Sequence, residues 1–146
     1  MGERVVIQET IFLPVLALVA LTVVVLLFTA GKRFRAVGAG HIGPNDFALG
    51  ESANVPADVS LGNRNYMNLL ELPVLFYVVC LCLYVTGQVD SLVVNLAWAY
   101  VALRAIHSVV HLAYNNVIHR LGVFAISNVV LAAIWVVFGM RVLGAA

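Results

Sequence analysis

Charge is scarce in this chain. Of 146 residues, 8 are Lys or Arg and 7 are Asp or Glu, 10% in all, against roughly 25% in soluble domains. Such a shortage excludes an ordinary water-facing surface. The balance of +1 also excludes a nucleic-acid-binding arm, an acidic tail or an electrostatically steered partner. Cysteine is nearly missing as well: Cys80 and Cys82 stand two apart in an apolar run, on different faces of a helix. Neither a disulfide framework nor a metal site follows from them. What fills the chain instead is hydrophobic residues, 63% of the total, with a mean hydropathy of +1.03. This composition belongs in a bilayer.

Crossing the hydrocarbon takes about 20 mostly apolar residues, and the sequence offers four such runs. Residues 10–31 and 121–141 are nearly free of charge, 69–89 carries Glu71 near its start, and 91–114 carries Arg104, His107 and His111. Glu3, Arg4 and Glu9 make no positive leader and the first run exceeds a signal-peptide core, so it reads as a span. Pro14 and Pro73 fall in first turns, where proline is tolerated. The expected fold is an all-α membrane protein, a four-transmembrane-helix bundle making one integral membrane domain over 1–146.

Lys32, Arg33, Arg35 and Arg64 cluster in the first connection and Arg120 in the third, leaving Arg4 and Arg141 for the other side. The positive-inside rule then places both termini outside the cytoplasm. Residues 32–65, with five glycines and two prolines, show no periodicity and read as a long irregular cytoplasmic loop. The two halves share no motif, so an inverted-repeat transporter is not indicated.

A charge at mid-bilayer costs upwards of roughly 2.5 kcal/mol, so Glu71 and Arg104 require a partner or a wet cavity. Arg64, Asn68 and Glu71 are spaced four and three apart, as one face of a helix; Arg104, His107, His111 and Tyr114 are spaced three, four and three. One reading is a structural seam in which Glu71 pairs with Arg104. Another is a small-molecule site at the cytoplasmic end. Conduction is disfavoured because the outer halves hold only neutral groups such as Thr22, Thr86, Asn95 and Asn128. Zinc is disfavoured because Ser108 stands where the His-Glu-x-x-His signature needs its glutamate. His41 and His119 read as solvated or interfacial. A cytoplasmic mouth presenting Arg64, Arg120, Arg104 and some of Lys32, Arg33 and Arg35, with Asn68 and His107, suits an amphiphilic anion. It equally suits a water-soluble anion that must meet a lipophilic partner. One use of an arginine there is to favour a thiolate over a thiol.

The run Asn63-Arg64-Asn65-Tyr66-Met67-Asn68-Leu69-Leu70-Glu71-Leu72-Pro73, with Arg104-x-x-His107-x-x-x-His111 and Arg120, resembles the MAPEG family of membrane-associated proteins in eicosanoid and glutathione metabolism. The Asn-x-x-Glu motif opening the second span is its most specific part. The resemblance implies a homotrimer with glutathione bound between subunits near the cytoplasmic face. By that analogy Arg64, Asn68, Glu71 and His107 look like glutathione contacts, Arg120 like the catalytic arginine beside the sulfur, and Arg104, His111 and Tyr114 like its supporting network. No metal is implied. The activity implied is conjugation of glutathione to lipophilic electrophiles, or peroxide reduction, in a multi-pass protein of a bacterial plasma (inner) membrane. Three positions depart from the pattern: Met67, where a second arginine often precedes the Asn, and His111 and Phe124, where relatives carry tyrosines. They motivate the alternative of a non-catalytic trimer that binds lipid or serves as an accessory subunit, with Glu71 and Arg104 structural.

Overall fold

The computed structural model describes residues 8–40, 42–48 and 50–144; Arg4 and His41 lie outside them. Among these residues there is no strand, and the helices are α1 (Phe12–Gly38), α2 (Ala57–Leu70), α3 (Pro73–Val85), α4 (Ser91–Ala113) and α5 (Val117–Val142), with a short 3-10 helix at Pro44–Phe47. Four segments are long and apolar enough to cross a membrane: α1, α2 and α3 taken together, α4, and α5. The expected all-helical, four-span bundle is what forms.

The largest differences from the sequence reading are two, both in the first connection; elsewhere α3 stops at Val85 and α5 starts at Val117, each about one turn from the expected bound. Helix α1 runs on through the basic residues to Gly38, because charge ends an apolar run without ending a helix. Arg35 in its last turn sits favourably at the negative end of the helix dipole, and Ala36 is buried. The chain becomes helical again at Ala57, inside the stretch read as irregular. Its buried face is Val59, Gly62, Asn65 and Leu69, a helical spacing that polar Asn65 and small Gly62 conceal from a search for apolar periodicity.

Within the first connection, the described residues between 39 and 56 are non-helical apart from the 3-10 turn, and they form a packed knot. Ile42, Val55 and Val59 close on Ala36, with Val37 and Phe47 against them. The Asp46 carboxylate ties the turn by accepting from Ser52 Oγ at 2.6 Å and from the Gly43 N–H at 2.8 Å. Those bonds, Ser52 first, hold its carboxyl below the usual range. Arg33 stacks on Phe47 and pairs with Glu51 at 3.4 Å, while Lys32 pairs with Asp58 at 3.2 Å.

Between α2 and α3 the helix breaks at Glu71 and Leu72. Pro73 has no N–H to give and cannot follow an uninterrupted helix, so it opens α3 from the N1 position. Glu71 leaves helical geometry with ψ −88°. Helix α4 starts from Asp90, whose Oδ1 accepts from Val93 N–H at 3.0 Å, and α5 from Asn116, whose Oδ1 accepts from Ile118 and His119 N–H. Asn115 between α4 and α5 takes a left-handed φ of 46°.

The core runs along the bundle axis: Leu18 and Val25 of α1, Phe76, Val79 and Leu83 of α3, and Val93, Ala97 and Tyr100 of α4, closed by Leu131 and Ile134 of α5. Phe76 and Tyr100 stack at 4.7 Å. Helices α1 and α2 approach closely at Gly62, where an added Cβ would lie 2.9 Å from Thr29 Oγ1. Small residues at such crossings let membrane helices approach. The far end is locked by Arg141, bound to Asp90 Oδ2 at 2.6 Å and to the Gln88 carbonyl at 2.7 Å. Outward faces carry apolar side chains such as Leu16, Leu27, Val85 and Val129, as a lipid-facing surface requires.

Candidate functional site

Helix α2 carries Arg64 and Asn68 on one face, and Glu71 follows in the break between its end and Pro73. Helix α4 brings His107 and His111 opposite, and the first turns of α5 bring Arg120 and Phe124. These residues surround one cavity of about 440 Å³, with Met67, Val117 and Leu121 as its apolar remainder. Small-molecule sites span roughly 300–1,000 Å³ and combine apolar walls with a few convergent polar groups. Two guanidinium groups against one carboxylate leave the lining with an excess positive charge. Five residues taken from sequence as the binding and catalytic set, Arg64, Asn68, Glu71, His107 and Arg120, therefore meet in one place with His111.

Arg104 does not line that cavity. It is fully buried, donating from Nε to Tyr100 Oη at 3.0 Å and from Nη2 to Asn128 Oδ1 at 3.3 Å. Its guanidinium lies 5.3 Å from the Tyr100 ring and 5.1 Å from the Phe124 ring. The postulated Glu71–Arg104 pair is not formed: none of the three ion pairs among the described residues includes either group. The break before Pro73 leaves Glu71 exposed toward the cavity, and Phe124 stands between the cavity and Arg104. A buried guanidinium costs several kcal/mol in solvation; neutral hydrogen-bond acceptors and π faces offset part of it. Asn128, taken from sequence as one of several idle neutral groups, is thus a partner of the buried charge. Tyr100 was missed altogether, although its position four residues before Arg104 was a usable signal.

Phe124 gains a role that a missing hydroxyl did not suggest. Its ring contacts Arg104 and lies 5.7 Å from His107, so it is the shared wall between cavity and buried charge. Tyr114 is not brought into the site: it is exposed and its hydroxyl meets His119 Nδ1 at 3.1 Å. Lys32 and Arg33 are likewise occupied elsewhere, by Asp58 and Glu51. His107 and His111 are almost wholly buried with rings 5.7 Å apart, and the Nδ1 of each has no partner among the described residues. Among those residues no group of three potential ligands could hold a metal ion.

Four spanning helices around a cationic cavity at one end define a small multi-pass integral membrane protein with a candidate anion site. The model of the MAPEG family matches residues 11–140, nearly the whole chain, and the protein belongs to that family. Neither the curated proteins nor the solved structures contain a match.

Proposed function

We propose that this protein is a membrane-bound glutathione-dependent transferase or peroxidase for lipophilic electrophiles, with Arg120 stabilising the glutathione thiolate. The observation that carries the reading is the charge pattern around the cavity, Arg64 and Arg120 with Glu71 between apolar walls. Glutathione offers complementary groups: a carboxylate for Arg64, a thiolate for Arg120, an ammonium for Glu71, and amides for Asn68 and His107. A thiol with pKa near 8.5 is only about 3% ionised at pH 7, so a fixed guanidinium at the sulfur raises the nucleophilic fraction. Met67, Val117 and Leu121 offer the electrophile an apolar approach from the bilayer.

The site opens outward, and Arg64 and Glu71 are exposed on the segment α2–α3 that crosses the membrane. Charges facing lipid there are costly, which supports a neighbouring copy closing the site, as in a homotrimer. The basic end would face the cytoplasm and both termini the other side, in a bacterial plasma membrane.

The test is conjugation of glutathione to an aromatic halide by protein purified into nanodiscs. Wild type should exceed the uncatalysed rate, and Arg120→Ala should lose on the order of a hundredfold in kcat, as when a preorganised charge stabiliser is removed. Equal rates for the two proteins, or none above background, would remove the proposed role. The alternative, a non-catalytic lipid-binding or accessory trimer, gains support from Arg104, whose contacts are all structural. It requires that millimolar glutathione leave the melting temperature unchanged.

A further inference from the structure

Arg120 is held by two acceptors from outside its own helix. Its Nη1 donates to Asn115 Oδ1 at 2.9 Å and lies 3.2 Å from His111 Nε2. A guanidinium has five N–H donors, two of them on Nη1. With His111 presenting the Nε2 lone pair, both Nη1 protons are engaged. The three on Nη2 and Nε have no partner among the described residues, and Arg120 lines the cavity.

The geometry of Asn115 is not incidental. Its φ of 46° is a conformation that asparagine tolerates and most residues resist. Its N–H is tied to the Val110 carbonyl at 2.8 Å. The turn therefore fixes where the side-chain oxygen points. Asn116 next to it caps α5, so the helix that carries Arg120 starts independently of Asn115.

We propose that Asn115 is a positioning residue for the site: together with His111 it anchors Nη1 of Arg120, so that Nη2 and Nε are presented to the ligand's anionic sulfur. This rests on the thiolate-binding reading above, and it assigns the turn between α4 and α5 a task beyond connecting two helices.

Two variants separate positioning from folding. Asn115→Gly keeps the left-handed turn, which glycine adopts freely, and removes the acceptor. Asn115→Asp keeps both. Each is compared with wild type in nanodiscs by kcat and KM for conjugation, by the pH titration of bound glutathione's thiolate absorbance, and by the nitrogen-15 side-chain NMR signal of Arg120. Asn115→Gly should lower kcat by about tenfold, as expected when a reacting group is slightly misplaced, and leave KM within about twofold. It should also shift the thiolate titration upward and collapse the slow-rotating Arg120 signal. Asn115→Asp should recover the Arg120 signal and most of kcat, while its added negative charge keeps the thiolate titration above that of wild type. An Asn115→Gly protein with wild-type kcat and thiolate titration overturns the proposal, whatever the NMR shows. If wild type binds no glutathione, the thiolate reading falls and NMR alone decides the anchor. An Arg120 signal unchanged in Asn115→Gly then overturns it, and a signal lost in that variant and kept in Asn115→Asp upholds it.

Discussion

Replacing Gly62 by alanine tests the joint on which the site's geometry depends. The new Cβ would lie 2.9 Å from Thr29 Oγ1, and 3.5 Å from Thr29 Cβ and Cγ2. The first distance is too short to stand. Thr29 cannot yield freely, because its hydroxyl donates to the Val25 carbonyl at 2.8 Å within α1 and the residue is buried. Rotating the hydroxyl away loses a buried hydrogen bond, about 0.5–1.5 kcal/mol. Moving α1 from α2 instead is overpacking, about 1–3 kcal/mol. Gly62→Ala should therefore destabilise by about 1–2 kcal/mol even after alanine's advantage in helix propensity is credited. In a Thr29→Ala background only the Cβ contact at ordinary van der Waals distance remains, so the same change should be neutral or stabilise by up to about 1 kcal/mol through helix propensity. The assay is reversible unfolding in mixed micelles, read as a double-mutant cycle. A coupling energy near zero, or a Gly62→Ala cost equal in both backgrounds, would refute the close-approach argument. Since α2 carries Arg64 and Asn68 and leads directly into Glu71, the single variant should also raise KM for glutathione, if glutathione is the ligand.

Three further outcomes follow from particular contacts. Asn128→Leu, which removes an acceptor while leaving Arg104 buried, should cost about 1–3 kcal/mol; Arg104→Met, which removes the charge, should cost less, because an apolar replacement needs no solvation. Melting in detergent ranks them, and the reverse order would contradict a structural role for that contact. At the other end, burial tends to raise the Asp90 carboxyl, but the Val93 N–H and Arg141 outweigh it and hold it below the usual carboxylate range. A depressed folded pKa means that its stabilisation is present above about pH 3.9, the unfolded value, and is lost as pH falls through the lower folded value. Asp90→Ala should therefore flatten the acid limb of the melting-temperature profile and cost about 1 kcal/mol as a lost cap at neutral pH; an unchanged acid limb would refute the linkage.

Much of the architecture was legible because a membrane imposes a coarse rule: apolar runs of sufficient length become spans whatever their detailed packing. That Arg64 and Asn68, and His107 and His111, line one cavity follows from their helical spacing, whereas Glu71 reaches it through the break before Pro73. Where reading failed, side-chain competition or backbone chemistry decided. Glu71 and Arg104 looked like natural partners by charge, yet Pro73 turns the first toward the cavity while Tyr100, Asn128 and the Phe124 ring occupy the second. Residues 57–65 looked irregular because their buried face includes polar Asn65 and Gly62, the latter set by its close approach to Thr29 and not by hydrophobicity.

By itself the sequence determined the class, the number of spans and the end at which polar groups gather, because hydropathy and helical periodicity are local properties of the chain. Only the tertiary structure decided which polar groups meet. That Arg104 is a buried structural charge, that Phe124 separates it from the cavity, and that a turn asparagine grips Arg120 all depend on distances between residues far apart or on a left-handed backbone angle, and no spacing rule carries that information.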